Sequence, residues 1–541
     1  MTTAAPDVSG QSSESRPVRG TGGAAAIIAG SILASRMFGI VRQSLMATYL
    51  GTTMAADAFT AAFKISNILQ NLFGEGVLSA SFIPVYAPLV ARGDEEEAGR
   101  VAGAVASLLV LAVSVFVLVG VIATPAIIPF IAMGFKGETR ELTIRLTRIL
   151  FPGAGIFVIS SWCLGILNSH RRFFIPYVAP VLWNVVMIGT LLAGGPRVGE
   201  TELSVVLAWA SVAGAGLQFL VQLPTTLKLA GRLRFTPRLR EPNVARVTKN
   251  FGPVFFSRGV VQISSYIDNF IATFLPTGIV ATFGYASAVV LLPVSLFGMS
   301  ISAAELPDMS RTLGSDSEVA TALRQRLTRG LRHIAYFVVP SAAAFLAFGD
   351  VIAAVLFQYR KFTPQDSLYA WGILAGAAVG LLASTMGRLY SSTYYALRDT
   401  RTPLRFSMIR VALTTVLGYL FALPLPRLLG IDPHWGAAGL TASAGVAGWV
   451  EFSLLRSRLN ARIGTTGVPS RFVALLWLCA AIAVAAGWGV RVLTVGRNHL
   501  VGGILVLATY GLVYLAASLV AGVPEARSAV ARVGLRRRRP G

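Results

Sequence analysis

Cysteine, histidine and acidic residues are all scarce in this chain of 541 residues. The two cysteines, Cys163 and Cys479, lie in separate apolar runs, and the four histidines do not cluster. Two isolated cysteines form neither a disulfide framework nor a zinc-binding spacing. The sequence also has no Walker A loop, no HExxH motif and no GxSxG motif at a strand-to-helix turn. We therefore predict no catalytic residues, no bound metal and no cofactor, so the chain is not expected to be an enzyme.

Charge is scarce as well, and this decides the fold class. Only 13% of the residues are charged and 54% are hydrophobic, with a mean hydropathy of +0.67, whereas a soluble domain is about 25% charged. Apolar runs recur along the chain at the length of about 20 residues that a helix needs to cross a bilayer. We predict an all-α integral membrane protein of about fourteen transmembrane helices.

Acidic residues are half as common as basic ones, which gives a net charge of +23. Such a balance can indicate a nucleic-acid partner, but here the basic residues fall mainly in short loops between apolar runs. The stretch 228–249 is rich in Lys and Arg, whereas the loops 48–54 and 275–278 contain neither. Because basic loops stay on the cytoplasmic side, we predict that both termini are cytoplasmic and that no nucleic acid binds.

The two halves of the chain resemble each other. Ser35 and Arg36 recur as Ser257 and Arg258, and a proline after a basic turn recurs in each half at a nearly constant separation. This predicts two six-helix lobes of similar orientation plus a C-terminal helix pair, an organisation that commonly encloses a transport site near the midplane. The predicted parts are a disordered cytoplasmic tail (1–23), an N-terminal lobe (24–230), a basic cytoplasmic loop (231–245), a C-terminal lobe (246–461), a helix pair (462–521) and a basic cytoplasmic tail (522–541).

Several charged residues lie inside the predicted spans. Arg36 is near the middle of the first span, where an arginine costs at least about 2.5–3.5 kcal/mol, so it should face a wet cavity or an acid. Arg42 lies about 120° away around the same helix and could border that cavity or reach the outer headgroups. Arg258 is the repeat-mate of Arg36. Asp57 and Lys64 share one face of the second span and could bind substrate or compensate each other.

The second span is predicted to bend. Glu75 lies between Gly74 and Gly76, and flanking glycines favour a break in a helix. We interpret these three residues as a candidate gate or hinge, with an ordinary interfacial acid at a bend as the alternative.

Longer motifs carry a resemblance to a known family, over roughly residues 25–521. They are SRMFGIVR (35–42), ADAF (56–59), FK (63–64), EG (75–76), FIP (82–84), GILNS (165–169) with Pro176, and YYALRDTRTP (394–403). Together these motifs resemble the MurJ (MviN) family of lipid II flippases, within the MOP exporter superfamily.

The resemblance implies transfer of undecaprenyl-pyrophosphate-linked peptidoglycan precursor from the inner to the outer leaflet of the bacterial cytoplasmic membrane. It also implies that Arg36, Arg42 and Asp57 match positions needed for function, and that the last two spans form a groove for the lipid tail. The implied partners are lipid II and membrane lipids, with the cell-wall synthesis machinery as a candidate partner of a monomeric protein.

Three departures from the family pattern bear on the site. Family arginines fall on Gln70 and Ala288 here, and the eleventh span has no carboxylate for the sodium site of some members. The driving force is therefore expected to be either membrane potential or a coupling cation. Arg258 is expected to supply part of the missing positive charge. The alternatives are an exporter of another polyprenyl-linked glycolipid, a cation-coupled drug antiporter, and a membrane scaffold that transports nothing.

Overall fold

The computed structural model describes residues 21–231, 233, 241–310 and 315–536, and this part of the chain forms helices and connecting turns without any strand. The predicted disordered tail up to residue 20, most of the basic loop (232 and 234–240) and the last five residues lie outside the described residues. The helices are α1 (Thr21–Leu50), α2 (Met54–Phe73), α3 (Glu75–Ser81), α4 (Ile83–Ala91), α5 (Glu95–Ile131), α6 (Gly137–Ser169), α7 (Phe174–Gly194), α8 (Glu200–Ala230), α9 (Pro242–Ala272), α10 (Ile279–Pro293), α11 (Ser300–Ser310), α12 (Asp316–Phe357), α13 (Pro364–Ala396), α14 (Arg401–Ala422), α15 (Pro424–Leu428), α16 (Gly436–Ile463), α17 (Ser470–Leu493), α18 (His499–Val520) and α19 (Pro524–Arg536).

Most of these helices are long enough to cross a membrane. Within the described ranges, 12 helical segments have the length and apolar composition of a span. Helices α1 and α9 have 30 and 31 residues, and about 20 residues suffice to cross the hydrocarbon. The prediction of an all-α membrane protein is confirmed, and counting α1 and α9 gives about fourteen spans.

The second predicted span is broken into α2, α3 and α4. Gly74 separates α2 from α3 with an extended backbone (φ −79°, ψ −152°), and a Cβ on this glycine would collide with the carbonyl oxygen of Gln70. The predicted bend is therefore present at Gly74, while a hinge role for Gly74, Glu75 and Gly76 stays a prediction. In the second half of the chain, a π-helical turn (Val294–Met299) separates α10 from α11.

The helices form two groups, which we call the N-terminal lobe (21–230) and the C-terminal lobe (242–463). In the first, α6 packs against α2, α5 and α8, and α7 packs against α1 and α8. In the second, α13 packs against α12 and α16, and α16 packs against α14. Helices α17 and α18 pair with each other and lie against α12.

Helix α9 runs between the lobes. It contacts α3 and α5 of the N-terminal lobe as well as α14 of its own lobe. We call the face of the molecule that carries the α1–α2 turn (51–53) the upper face, and the face that carries the α4–α5 turn (92–94) the lower face. Because successive spans alternate in direction, the α9–α10 turn also lies at the upper face.

Candidate functional site

A cavity of about 670 Å³ lies between α1, α7 and α10, with the first residue of α3 also in its wall. Both lobes therefore contribute to it. Its lining residues are Ser35, Arg36, Gly39, Ile40, Arg42, Gln43, Glu75, Tyr177, Pro180, Trp183, Asn184, Gly284, Ser287, Ala288, Leu291 and Leu292.

The residue pattern of α1 explains why its polar side chains reach the cavity. Arg36, Ile40 and Gln43 follow at intervals of three or four residues, so they share one face of the helix. Met37 and Val41 lie between them and are 53% and 46% exposed, as expected for side chains that face lipid. Arg36 lies about 21 Å from the upper end of α1, and Arg42 about 12 Å, so both arginines are well inside the span.

Among the described residues, no acid is paired with either arginine. Arg42 instead lies over two aromatic rings, with its Cζ 4.6 Å from the centre of the Trp183 ring and 5.8 Å from that of Phe63. Its Nε is buried and has no hydrogen-bond partner among the described residues. The cavity wall thus carries two arginines to which no described acid is paired, and the buried Nε of Arg42 is an unused donor.

Five polar residues of the cavity were not among the predicted site residues: Ser35, Gln43, Tyr177, Asn184 and Ser287. The signal that could have found Asn184 is an amide inside an otherwise apolar span. Its side chain donates from Nδ2 to the carbonyl oxygen of Pro180 at 3.1 Å, and its Oδ1 is buried without a partner in the described structure. Glu75, predicted only as part of a hinge, lies in the cavity wall.

Ala288, where the family pattern has an arginine, also lies in this cavity. Ala288 and Ser287 of α10 line it, so α10 contributes no charge where the family pattern has an arginine. The side chain of Arg258 lies outside the described residues; only its position on α9 is described, and its predicted role stays a prediction. Among the described side chains, the positive charge of this cavity comes from α1.

Asp57 is not among the residues that line this cavity, and its predicted role in substrate binding stays a prediction. Its carboxylate is buried at the upper face and accepts hydrogen bonds from the backbone N–H groups of Gly278 (2.6 Å) and Ala281 (2.8 Å). These are unpaired amides of the first turn of α10, which attract an anion. Gly278 has φ +92°, and a Cβ there would collide with the carbonyl oxygen of Thr52. Asp57 thereby joins the two lobes.

Further contacts hold the lobes together at the same face. The Tyr285 hydroxyl donates to the carbonyl oxygen of Gly51 at 2.9 Å, and the Thr52 hydroxyl donates to Asp366 Oδ1 at 2.9 Å. We call these contacts, together with those of Asp57, the upper-face latch.

Lys64 is not among the residues that line this cavity, and its electrostatic partner is not Asp57; its predicted role in substrate binding stays a prediction. Two helical turns separate the two residues by about 10 Å along α2, and each has a nearer partner. The ammonium group of Lys64 lies 5.8 Å from the centre of the Phe283 ring and interacts electrostatically with Asp268 of α9. Lys64 therefore also connects the lobes.

A second, smaller cavity of about 160 Å³ lies in the C-terminal lobe. Asp268 and Arg410 line it together with small residues such as Gly380 and Gly445. One oxygen of Asp268, Oδ1, has no hydrogen-bond partner in the part of the chain that is described.

The acid partner of Arg410 is on α16. Arg410 Nη1 donates to Glu451 Oε2 at 3.1 Å, and the Ser407 hydroxyl donates to Glu451 Oε1 at 2.7 Å. In the described ranges, no group of three or more His, Cys, Asp or Glu side chains could hold a metal ion.

Two helical lobes that enclose a charged cavity inside the membrane define a class of protein, the two-lobed membrane transporters. The structure superimposes on a lipid II flippase MurJ in an inward closed conformation with a TM-score of 0.76 and 22% identity, over 92% of this chain and 98% of that chain. It also superimposes on an inward-facing multidrug resistance MATE family transporter of the MOP superfamily with a TM-score of 0.63 and 18% identity, over 82% of this chain and 100% of that chain. These likenesses establish the fold.

Sequence comparison then identifies the family. The family model described as lipid II flippase MurJ matches residues 46–511. The lipid II flippase MurJ of Burkholderia cenocepacia is 31% identical over 442 residues, which cover 80% of this chain and 83% of that protein. The probable lipid II flippase MurJ of Rhizobium meliloti is 30% identical over 478 residues, or 86% of each chain. This chain therefore belongs to the MurJ family, a family of transporters and not of catalytic enzymes, and is a multi-pass protein of the bacterial inner membrane.

Proposed function

We propose that this chain is a lipid II flippase, which moves undecaprenyl-pyrophosphate-linked precursor from the inner to the outer leaflet for peptidoglycan synthesis. The observation that carries the proposal is the cavity between the lobes with Arg36 and Arg42 in its wall and no acid paired to either among the described residues. Membership of the MurJ family supports the identity of the substrate.

The chemistry of the two arginines favours a pyrophosphate group. A guanidinium donates two parallel hydrogen bonds to phosphate oxygens and stays charged inside the membrane. An unpaired arginine in a span is costly, and an anionic head that enters the cavity would offset that cost. A cationic drug would be repelled by the same two groups, which argues against a drug antiporter.

The contacts between the lobes support alternating access. The upper-face latch must open before the cavity can face the upper side. Near the lower face, Asn243 Nδ2 of α9 donates to Glu97 Oε1 of α5 at 2.9 Å, and contacts of this kind must break to admit a head group. During each half-cycle the polyprenyl tail would stay in lipid while the head crosses inside the protein.

The distribution of basic loops supports an orientation with the upper face outside and both termini in the cytoplasm. In that orientation a net negative head moves outward. Moving one charge across the membrane is worth about 2.3 kcal/mol per 100 mV, so membrane potential can drive or reset the cycle. A coupling cation is the alternative driving force.

Complementation tests the proposal. A bacterium depleted of its own lipid II flippase should grow when it expresses this chain, and lipid II should become accessible to labelling on the outer leaflet. Arg36→Ala should abolish both effects. The matched control is Arg197→Ala, which removes an exposed arginine whose side chain donates a hydrogen bond to the carbonyl oxygen of Ala193 and should leave both intact. Normal membrane expression without growth or outer-leaflet labelling would refute the proposal.

A further inference from the structure

Arg42 is held by aromatic rings where an acid would be the ordinary partner of a buried arginine. Its Cζ lies 4.6 Å from the centre of the Trp183 ring. An aromatic face stabilises a cation through the negative charge of its π-system, and tryptophan does so best. This contact contributes to the stability of the charge inside the span.

The kind of partner decides what the guanidinium can still do. A carboxylate would accept hydrogen bonds from the N–H groups, which lie in the plane of the guanidinium. A ring face stabilises the same charge without accepting those in-plane hydrogen bonds, so they remain available to a ligand. The unpartnered Nε of Arg42 agrees with this arrangement.

The Trp183 ring is itself fixed from several helices. Its Nε1–H donates to both the carbonyl oxygen and the hydroxyl of Ser211 on α8, each at 3.2 Å. Phe63 of α2 stacks with the ring at 5.6 Å between centres and 20° between planes, and Phe157 of α6 meets it edge-on at 5.9 Å. A Cβ on Gly214 of α8 would lie 2.7 Å from Trp183 Cδ1, so only glycine leaves the ring its place.

We propose that Trp183 is a positioning residue, which holds the Arg42 guanidinium with its donors free for a pyrophosphate group in the cavity between α1, α7 and α10. The proposal rests on the proposed function, because it concerns the same anionic head. Trp183 acts through Arg42. Because Ser211 and Phe63 fix the Trp183 ring, the ring in turn holds the Arg42 guanidinium in one position.

The test is a double-mutant cycle on purified full-length protein, with farnesyl pyrophosphate as the probe and farnesol as the uncharged control. Trp183→Leu should weaken farnesyl pyrophosphate binding by about 30-fold, the scale of a desolvated cation–π contact. Trp183→Phe keeps a ring face and should stay within about threefold of the wild type. With Arg42→Ala already present, Trp183→Leu should change binding by less than about twofold.

A second pair of variants covers the case in which Trp183→Leu does not fold. Gly214→Ala should displace the ring and weaken binding in the same direction, and only while Arg42 is present. Gly216→Ala is its matched control on the same helix, because a Cβ there has no neighbour within 4 Å; it should bind like the wild type.

Each outcome decides between the two claims. Equal losses from Trp183→Leu with and without Arg42 would overturn the positioning role, because the ring would then act through packing or direct contact. If the wild type bound farnesyl pyrophosphate no better than farnesol, the anion-binding role of the cavity, and with it the proposed function, would be refuted.

Discussion

The embedded arginines of the two cavities differ in their partners. In the larger cavity, between the lobes, Arg36 and Arg42 have no acid paired to them among the described residues, and Arg42 lies on aromatic rings. In the smaller cavity, inside the C-terminal lobe, Arg410 is paired with Glu451. Charge inside a span is therefore not by itself a sign of a binding site.

A binding arginine and a structural arginine differ in whether an acid already uses the donors of the guanidinium. A paired arginine has used its donors and lowered its own cost of burial, so its loss should harm stability first. An arginine held on a ring retains its donors, so its loss should harm ligand binding first. The following experiments test that difference, in order of decreasing expected effect.

Arg42→Ala should weaken binding of farnesyl pyrophosphate by about 100-fold, because a desolvated charge-assisted contact is worth about 2–5 kcal/mol. Its thermal unfolding midpoint should change less than that of Arg410→Ala, since no acid loses its partner. Calorimetric titration and thermal unfolding of the purified variants measure the two effects. A variant that binds normally but unfolds early would place Arg42 among the structural arginines.

Asp57→Ala should open the upper-face latch without changing the binding site. Each hydrogen bond to a charged acceptor is worth about 1.5–3 kcal/mol, and Asp57 accepts two across the lobes. The reporter is Ser287→Cys in the cavity, labelled from the upper side with a membrane-impermeant maleimide; the native Cys163 and Cys479 are buried.

We expect labelling of this cysteine to become several times faster in Asp57→Ala, while farnesyl pyrophosphate binding stays within about twofold because Asp57 is outside the cavity. Asp57→Asn, which keeps one acceptor oxygen, should give an intermediate rate. Unchanged labelling together with lost binding would show that Asp57 belongs to the binding site.

Arg410→Ala should lower the free energy of unfolding by about 1–3 kcal/mol, because Glu451 loses a hydrogen-bond donor and keeps only Ser407. The double variant Arg410→Leu with Glu451→Leu should be less destabilised than the single one, since neither member of the ion pair is left without the other. Thermal unfolding in detergent checks both. Equal destabilisation of the single and double variants would mean that the ion pair is not what Arg410 contributes.

Asp432, in a turn outside both cavities, should have the smallest effect. Hydrogen bonds from the His434 backbone N–H, the Tyr369 hydroxyl and the His434 ring lower its pKa to about 2. Its contribution to stability is therefore fully present above the unfolded pKa of about 3.9 and is lost as the pH falls toward 2.

Asp432→Asn should thus lower the unfolding midpoint slightly at pH 7, and the difference from the wild type should shrink below pH 4. Thermal unfolding across that range measures it. A difference that grows as the pH falls would contradict the assignment of this charge.

Much of the helical architecture could be predicted from local sequence. The spans follow from apolar runs, the break at Gly74 follows from flanking glycines, and a cavity beside Arg36 follows from the cost of an embedded charge. Each of these depends on residues that are near one another in the chain.

The partners of the charged side chains could not be predicted in this way. Asp57 accepts from amides more than 200 residues away, and no local pattern identifies which helix end will lie beside it. Lys64 shares a helix face with Asp57, yet it faces Asp268 of the other lobe. Trp183 reads as an ordinary aromatic residue in an apolar span until the packing places it under Arg42.

In the proposed function, the cavity between the lobes carries the pyrophosphate head of lipid II across the membrane. The most direct measurement of this function is flipping in proteoliposomes, with the purified wild type and Arg36→Ala at equal protein density and labelled lipid II in one leaflet. The wild type is expected to bring lipid II to the opposite leaflet at a rate well above that of protein-free liposomes. Arg36→Ala is expected not to exceed the protein-free rate. Equal flipping by the two proteins, or none by a correctly folded wild type, would contradict the proposed function.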